Sequence, residues 1–264
     1  MVALIGRAPE YSPNGNVPRD AAILEAVGHQ LQASGQQVQF CPETELQSLP
    51  TGVTAVVSMA RRNRTLLLLQ KAEKAGVWVC NRPSAVQVTV QSRSTTLEVL
   101  QSVGLPVVPF WSYEPSEDQM FQCEPELQTL LPGWVKAMHP RGVTTGDVMR
   151  VEGPLEADAR VMELASMGYT DIIVTRHLDG PLLKAYVVGS HVWRYPQASV
   201  PVQWQLSDSC ILDVARTLGL DICGIDFILT PDGPFVIDVN DFPSFSPCRD
   251  EAARAIAELL IFNC

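Results

Sequence analysis

The stretch GIDFILTPDGPFVIDVNDFP, residues 224–243, does most to decide the predicted fold. Its Asp-Gly pair is a hairpin signal, so we predict two antiparallel strands joined by a turn at residues 230–234. Side chains alternate between the two faces of a strand. One face of this hairpin would collect six apolar residues: Ile225, Phe227, Leu229, Phe235, Ile237 and Val239. The opposite face would present Asp226 from the first strand, and Asp238 with Asn240 from the second.

The polar face of the hairpin predicts a metal site. Two carboxylates and an amide oxygen converge there, although nothing in a hairpin requires them. Hard oxygen donors of this kind suit Mg²⁺, which prefers one or two carboxylates together with the phosphates of a substrate. The stretch therefore predicts an enzyme that handles a Mg-nucleotide.

Composition limits the class of protein. The chain has 264 residues, of which 46% are hydrophobic and 18% charged, which indicates a globular protein with a sizeable core. The net charge of −10 argues against a general nucleic-acid-binding surface, although it permits a local anion pocket. We expect no nucleic-acid partner.

Cysteine usage and the chain's apolar runs bear on its location. The seven cysteines are scattered without metal-binding spacing, which is typical of reduced thiols in a cytoplasmic protein. Residues 2–6 are too short for a signal peptide and predict a buried strand instead. No run approaches the roughly 18 apolar residues of a membrane span. We expect a soluble cytoplasmic protein without a membrane partner, and a homodimer is one open alternative for its oligomeric state.

Lysines within apolar segments indicate an anion site. Lys136 lies in a predicted strand at residues 134–138, and Lys184 in another at residues 182–188. A lysine in such a strand needs an anionic partner or a route to solvent. Either one alone is more often an edge charge that faces water. Two strand lysines together with two aspartates favour phosphate binding, because the lysines can neutralise phosphate oxygens.

Two further segments could bind anions or could be ordinary surface structure. The loop at residues 139–147 is rich in small and hydroxyl side chains, so its backbone N–H groups could cover a triphosphate. An ordinary hairpin loop is the alternative. Arg61, Arg62 and Arg64 precede or open a predicted helix, whose N-terminus attracts anions. A solvated basic turn is equally compatible with these arginines.

Taken together, these motifs resemble the ATP-grasp superfamily. Lys136 before a small-residue loop, Lys184 in Lys-Ala-Tyr-Val-Val-Gly and the opening hairpin carry the resemblance, and Arg93 before Gly-Leu-Pro-Val-Val-Pro also fits. The resemblance covers essentially the whole chain. It implies an α/β and α+β protein with the ATP-grasp fold, in which two α+β subdomains clasp ATP. The implied units are an N-terminal parallel-sheet βαβ substrate domain at 1–82, a central subdomain at 83–178 and a C-terminal subdomain with the metal site at 179–264.

The resemblance also implies roles for individual residues. Asp226, Asp238 and Asn240 would bind Mg²⁺. The ATP-binding residues would be Lys136, Gly142, Thr144, Thr145, Lys184 and the adenine hinge of Arg176, His177 and Leu178. Lys184 and Arg194 would act at the transferred phosphate. The substrate-binding residues would be Arg7, Arg61, Arg93, Arg194 and Ser244.

Departures from the motif leave the reaction open. Carboxylate–amine ligases such as glutathione synthetase and the ribosomal-protein glutamate ligases usually have Glu where this chain has Asp238, and often Pro-Gly where it has Pro243-Ser244. The inositol-trisphosphate kinases use Asp there and Lys-x-(Phe/Tyr)-Val-Val-Gly around the position of Lys184, and these two matches favour the kinase branch. Their anionic substrates, however, favour many cations, which an acidic chain lacks. Asn81 and Ser84 before the Arg93 helix resemble the ligase branch. We expect a ligase that passes a small molecule or peptide carboxylate through an acyl phosphate to an amine or thiol. A kinase and a non-catalytic ATP-binding module are the alternatives.

Overall fold

The computed structural model describes residues 1–12, 16–113, 125–138, 146–199 and 206–263. These residues form three four-stranded sheets and eight α-helices. The strands are β1 Val2–Gly6, β2 Val38–Pro42, β3 Ala55–Ser58, β4 Trp78–Cys80, β5 Phe110–Tyr113, β6 Gly133–Met138, β7 Val148–Val151, β8 Asp171–Arg176, β9 Leu182–Val188, β10 His191–Pro196, β11 Ile222–Thr230 and β12 Gly233–Asn240. The helices are α1 Val17–Ala33, α2 Asn63–Lys74, α3 Pro83–Gln91, α4 Arg93–Ser102, α5 Pro125–Gln128, α6 Pro154–Ser166, α7 Asp208–Leu218 and α8 Arg249–Asn263.

The N-terminal sheet is parallel, in the order β2-β1-β3-β4, which confirms the predicted βαβ pattern. Strands β1 and β3 are almost wholly apolar because the sheet is covered on both faces, as parallel sheets are. The carboxyl ends of parallel strands meet at one edge of the sheet, where ligands and functional loops gather. At that edge Arg7 follows β1, Arg61 follows β3 and Asn81 follows β4.

The other two sheets are antiparallel, in the orders β5-β8-β6-β7 and β10-β9-β11-β12. Helix α6 covers the first in a common core, and α7 covers the second. Helix α7 begins where the Ser207 hydroxyl accepts the N–H of Cys210 and ends at Gly219, whose φ of 70° suits glycine. One parallel and two antiparallel sheets confirm the predicted fold class.

A β-bulge in the hairpin of β11 and β12 corrects one detail of the predicted pattern. Asp226 pairs with Asp238, but Phe227 pairs with Val236, so Ile237 is an extra residue on β12. Such a residue shifts the alternation of faces beyond it. Val236, not Phe235, is therefore the fully buried core residue on this part of β12. The prediction that Phe235 shares the core face was wrong because the sequence pattern does not reveal the bulge.

Packing links the three predicted units. Ala85 of α3 and Leu97 of α4 lie in the core of the C-terminal antiparallel sheet. Helix α8, at the other end of the chain, packs with α1 in the core of the parallel sheet. The domain boundaries at residues 82 and 178 therefore stay a prediction from the sequence. Among the helices of the described ranges, none has the length and hydropathy that crossing a membrane requires.

Candidate active site

Three charged residues form a row across the C-terminal sheet. Asp226 on β11 lies opposite Asp238 on β12 and, on its other side, opposite Lys184 on β9. Directly paired residues project from the same face of a sheet. Asn240 is two residues beyond Asp238 and shares that face. The structure therefore brings together the three predicted metal ligands and one of the two predicted phosphate-binding lysines.

Each aspartate of the row is paired with a cation. Lys184 Nζ donates to Asp226 Oδ2 at 2.7 Å, and Arg93 Nη1 donates to Asp238 Oδ1 at 2.7 Å. Burial raises the pKa of Asp226 above its ordinary value, while the neighbouring Lys184 acts in the opposite direction. A partly buried carboxylate beside a cation is an oxygen donor of the kind that Mg²⁺ prefers.

Lys136 reaches the same hairpin from the other antiparallel sheet. Its Nζ donates at 3.0 Å to the carbonyl oxygen of Ile237, the extra residue of the bulge. Its side chain belongs to β6 and is buried, and this burial lowers the pKa of Lys136 to about 8. Asp238 nearby raises this pKa and Arg93 lowers it. The bulge thus provides the only acceptor recorded for the Lys136 ammonium group within the described residues.

Arg61 contacts the end of β12. Its Nη2 donates to Asn240 Oδ1 at 3.1 Å and also bonds the carboxylate of Asp241. The Asn240 oxygen accepts a second hydrogen bond, from the N–H of Phe242 at 3.1 Å. Asn240 could therefore bind a metal only if one of these donors gave way. The Arg61 side chain is only 10% exposed, unlike one in a solvated basic turn, whereas Arg62 pairs with a partly exposed Glu10.

Arg7, a predicted substrate-binding residue, bonds protein partners through all three of its guanidinium nitrogens. Its guanidinium donates to Phe242 O at 2.7 Å, to Asp20 Oδ2 at 3.2 Å and to Met59 O at 3.4 Å. Burial lowers the pKa of Arg7 to about 10. Arg7 thus ties α1 and two loops together at the edge of the parallel sheet.

Two cavities meet at Asp238 and Asn240. One, of about 160 Å³, extends from these residues along Arg61 and Arg93. The Nε atoms of both arginines are buried and have no hydrogen-bond partner in the part of the chain that the structure describes. The other cavity, of about 310 Å³, is lined by the following residues: Arg7, Asn16, Asp20, Lys184, Tyr186, Gly224, Asp226, Pro243 and Ser244. The first cavity has arginine donors without a partner, and both cavities have carboxylates in their lining. Such a combination suits a metal ion together with an anionic ligand.

The predicted adenine hinge is only partly arranged for adenine. The N–H of Arg176 donates to Pro109 O at 2.9 Å, and that of His177 donates to Pro132 O at 3.0 Å. Both groups would have to exchange these partners before they could pair with a base. The His177 ring accepts from Trp134 Nε1 at 3.1 Å, and Leu178 packs against the core of the C-terminal sheet.

Other predicted residues lie away from this site or outside the described ranges. Arg194 pairs across the strands with Ala185, a core residue, and its guanidinium bonds Asp208 at the start of α7. It therefore lies on the opposite face from Lys184, and the structure does not bring it to the aspartates. Gly142, Thr144 and Thr145 lie outside the described residues.

Sequence reasoning missed three buried polar residues that support the site. Glu43 accepts the backbone N–H groups of Ala8 at 2.9 Å, Arg61 at 2.9 Å and Arg62 at 2.6 Å. Asp241 pairs with Arg61, and Asn81 bonds the backbone of the hairpin. A position at or just beyond the carboxyl end of a strand is the one signal that could have found them.

Comparisons with known proteins show weak sequence similarity. No protein-family model matches the chain. It is 23% identical over 251 residues to human beta-citrylglutamate synthase B, a match that covers 86% of this chain and 63% of the human protein. It is 32% identical over 50 residues to a probable alpha-L-glutamate ligase 2 of Pseudoalteromonas atlantica, or 19% of this chain and 17% of that protein.

Solved structures establish the fold. The structure matches a D-alanine–D-alanine ligase from Bacillus anthracis with a TM-score of 0.73 and 10% identity, covering 99% of this chain and 96% of that one. It matches a RimK domain ATP-grasp protein from Sphaerobacter thermophilus with a TM-score of 0.72 and 18% identity, covering 99% of both chains. The protein has the ATP-grasp fold.

Proposed function

We propose that this protein is a Mg-ATP-dependent ligase that joins a carboxylate to an amine or thiol of a small molecule or peptide. One observation carries the proposal: the row of Lys184, Asp226 and Asp238, with Arg93 and Lys136 set against it from other elements. Oxygen donors for a divalent cation and nitrogen donors for phosphates thus meet at one place. Both curated relatives named above are a ligase or a synthase, which favours ligation. The kinase alternative gains no support from the comparisons.

The residues present fit a Mg²⁺ ion and a triphosphate by their chemistry. Asp226, Asp238 and Asn240 would hold the metal, while Lys136 and Lys184 would neutralise phosphate oxygens. Lys184 and Arg93, which now pair with Asp226 and Asp238, would then bind the phosphates, because the metal ion would bind the two carboxylates. Bound Mg-ATP supplies an activated γ-phosphate whose negative charge the metal reduces.

The chain's own contribution is to position the reactants and to neutralise charge. A substrate carboxylate oxygen would displace ADP from the γ-phosphorus to form an acyl phosphate. The amine would then attack the acyl carbon, lose a proton and release phosphate. We place this acceptor side in the cavity of about 310 Å³, which reaches from Asp226 and Asp238 to Tyr186 and Ser244.

Nucleotide binding and product analysis test the proposal. Calorimetry with Mg²⁺ and a non-hydrolysable ATP analogue should show binding, and its absence would overturn both the ligase and the kinase. A library of carboxylates and amines is then screened for ADP and free phosphate. A ligase releases both products only when a carboxylate and an amine (or thiol) are present together. A kinase would give ADP and a phosphorylated product without free phosphate, and that result would contradict the proposal.

A further inference from the structure

Asn81 joins the two strands of the metal-binding hairpin at their open end. Its Nδ2 donates to the carbonyl oxygen of Ile222 at 2.7 Å and also to that of Asp241. Its Oδ1 accepts the N–H of Ile222 at 2.8 Å. Ile222 is the first residue of β11, and Asp241 directly follows the last residue of β12. One buried side chain, 1% exposed, therefore bonds the backbone of both strands.

The opposite end of the hairpin is closed in a different way. There the turn itself joins the strands, and the Thr230 hydroxyl donates to Gly233 O at 3.0 Å. The open end has no covalent link, yet it carries the metal-binding face: Gly224 pairs with Asn240, and Asp226 with Asp238. The bulge at Ile237 separates this end from the regular pairing near the turn. A change in strand spacing at Asn81 would reach Asn240 and Asp226 without crossing the bulge.

We propose that Asn81 is a positioning residue for the metal-binding face of the hairpin. It touches neither Asp226 nor Asp238 in the contacts recorded for the described residues, and both donor and acceptor of its amide engage hairpin backbone. It acts by holding β11 and the exit of β12 at a spacing that lets three oxygen ligands meet on one cation. Residues that orient ligands in this way typically change metal affinity about 10- to 100-fold. The inference rests on the proposed Mg-ATP site.

Two substitutions separate positioning from simple packing. Asn81→Asp keeps the size of the side chain but turns a donor that faces two carbonyl oxygens into an acceptor. Asn81→Ser removes the bridge between the strands without adding charge. Leu260→Ala serves as the matched control, because Leu260 is a fully buried member of the core that contains Ile222 and Phe242. This control lowers the stability of the same interface and leaves the Asn81 amide in place.

The measurement is Mn²⁺ binding, followed by electron paramagnetic resonance in the presence of a non-hydrolysable ATP analogue, together with the Tm of each variant. We expect the Kd for Mn²⁺ to rise about 10-fold or more in both Asn81 variants. Leu260→Ala should lower Tm and leave this Kd unchanged. Wild-type affinity in a folded Asn81 variant would overturn the proposal, as would failure of both Asn81 variants to fold. If the wild-type protein binds no Mn-nucleotide, the proposed function itself fails, and this inference fails with it.

Discussion

The hairpin face and the edge of the parallel sheet make opposite uses of polar side chains. On the hairpin, Asp238 is 46% exposed and its charge faces two cavities. At the sheet edge, Arg61 is only 10% exposed, and with Arg7 and Asn81 it bonds the three consecutive residues 240–242. The hairpin face thus presents polar groups to a ligand, whereas the sheet edge uses most of its polar groups to hold the end of the hairpin in place.

The largest expected effect tests the holding role of the sheet edge. Arg61→Met leaves the buried carboxylate of Asp241 without its cation. Removing one partner of a buried ion pair costs about 3–5 kcal/mol of unfolding free energy. Urea denaturation would measure the loss. Arg62→Met is the control, because the Arg62–Glu10 pair is partly exposed and such pairs contribute about 1 kcal/mol or less. Equal losses in the two variants would contradict the distinction between the regions.

A second substitution tests the ligand role of the hairpin. Asp238→Ala should weaken binding of a Mg-ATP analogue about 100-fold, which corresponds to about 2.7 kcal/mol. The unfolding free energy should change by about 1 kcal/mol or less, because the pair with Arg93 is partly exposed. Calorimetry and urea denaturation would measure the two effects. Asp232→Ala, in the exposed turn of the same hairpin, should alter neither, and a large stability loss in Asp238→Ala would make that carboxylate structural.

The pH dependence of nucleotide binding sharpens the comparison at Lys136. Its pKa of about 8 means that the ammonium group is charged at pH 7 and largely neutral at pH 9. An anionic nucleotide binds the charged form, so its affinity should fall as pH rises through 8, by up to about 10-fold per pH unit. Titration calorimetry between pH 7 and pH 9 would show the slope. Lys136→Arg should flatten it, because arginine stays protonated in this range. An identical slope in both proteins would assign the titration to another group.

The smallest expected effect concerns Arg194, on the face opposite the aspartates. Arg194→Ala breaks a partly exposed pair with Asp208, worth about 1 kcal/mol or less. The affinity for a Mg-ATP analogue should stay at the wild-type value. Calorimetry would measure it, and a loss of 10-fold or more would restore Arg194 as a nucleotide-binding residue.

Much of the fold was predictable because its elements follow local patterns. The Asp-Gly turn predicted the hairpin, and the apolar strands before residue 81 predicted the parallel sheet. Local pattern failed at Phe235, since a bulge leaves no trace in the alternation of apolar residues. The local pattern also placed Arg194 in the site. Which sheet face its side chain lies on depends on the pairing of β10 with β9, which the sequence does not show.

The candidate site was predictable where residue chemistry alone is informative. Asp226, Asp238 and Asn240 share one sheet face as predicted, because alternation is regular on their side of the bulge. That Lys184 joins the same face was not predicted, because it depends on the pairing of β9 with β11. Asn81 and Asp241 were not assigned to the site, since a buried polar residue has no distinctive sequence signal. Their side-chain partners are 141 to 180 positions away along the chain and become neighbours only in the fold.

The sequence by itself determined which functional groups the site contains: three oxygen ligands on a hairpin, and lysines in apolar strands that need an anionic partner or a route to solvent. Only the tertiary structure decided how those donors meet. The bulge at Ile237 turns a carbonyl oxygen toward Lys136, and the sheet edge bonds residues 240–242 through Arg7, Arg61 and Asn81. The physical reason is range: alternation along a strand is a property of neighbours, whereas strand spacing and buried hydrogen bonds depend on segments that folding brings together.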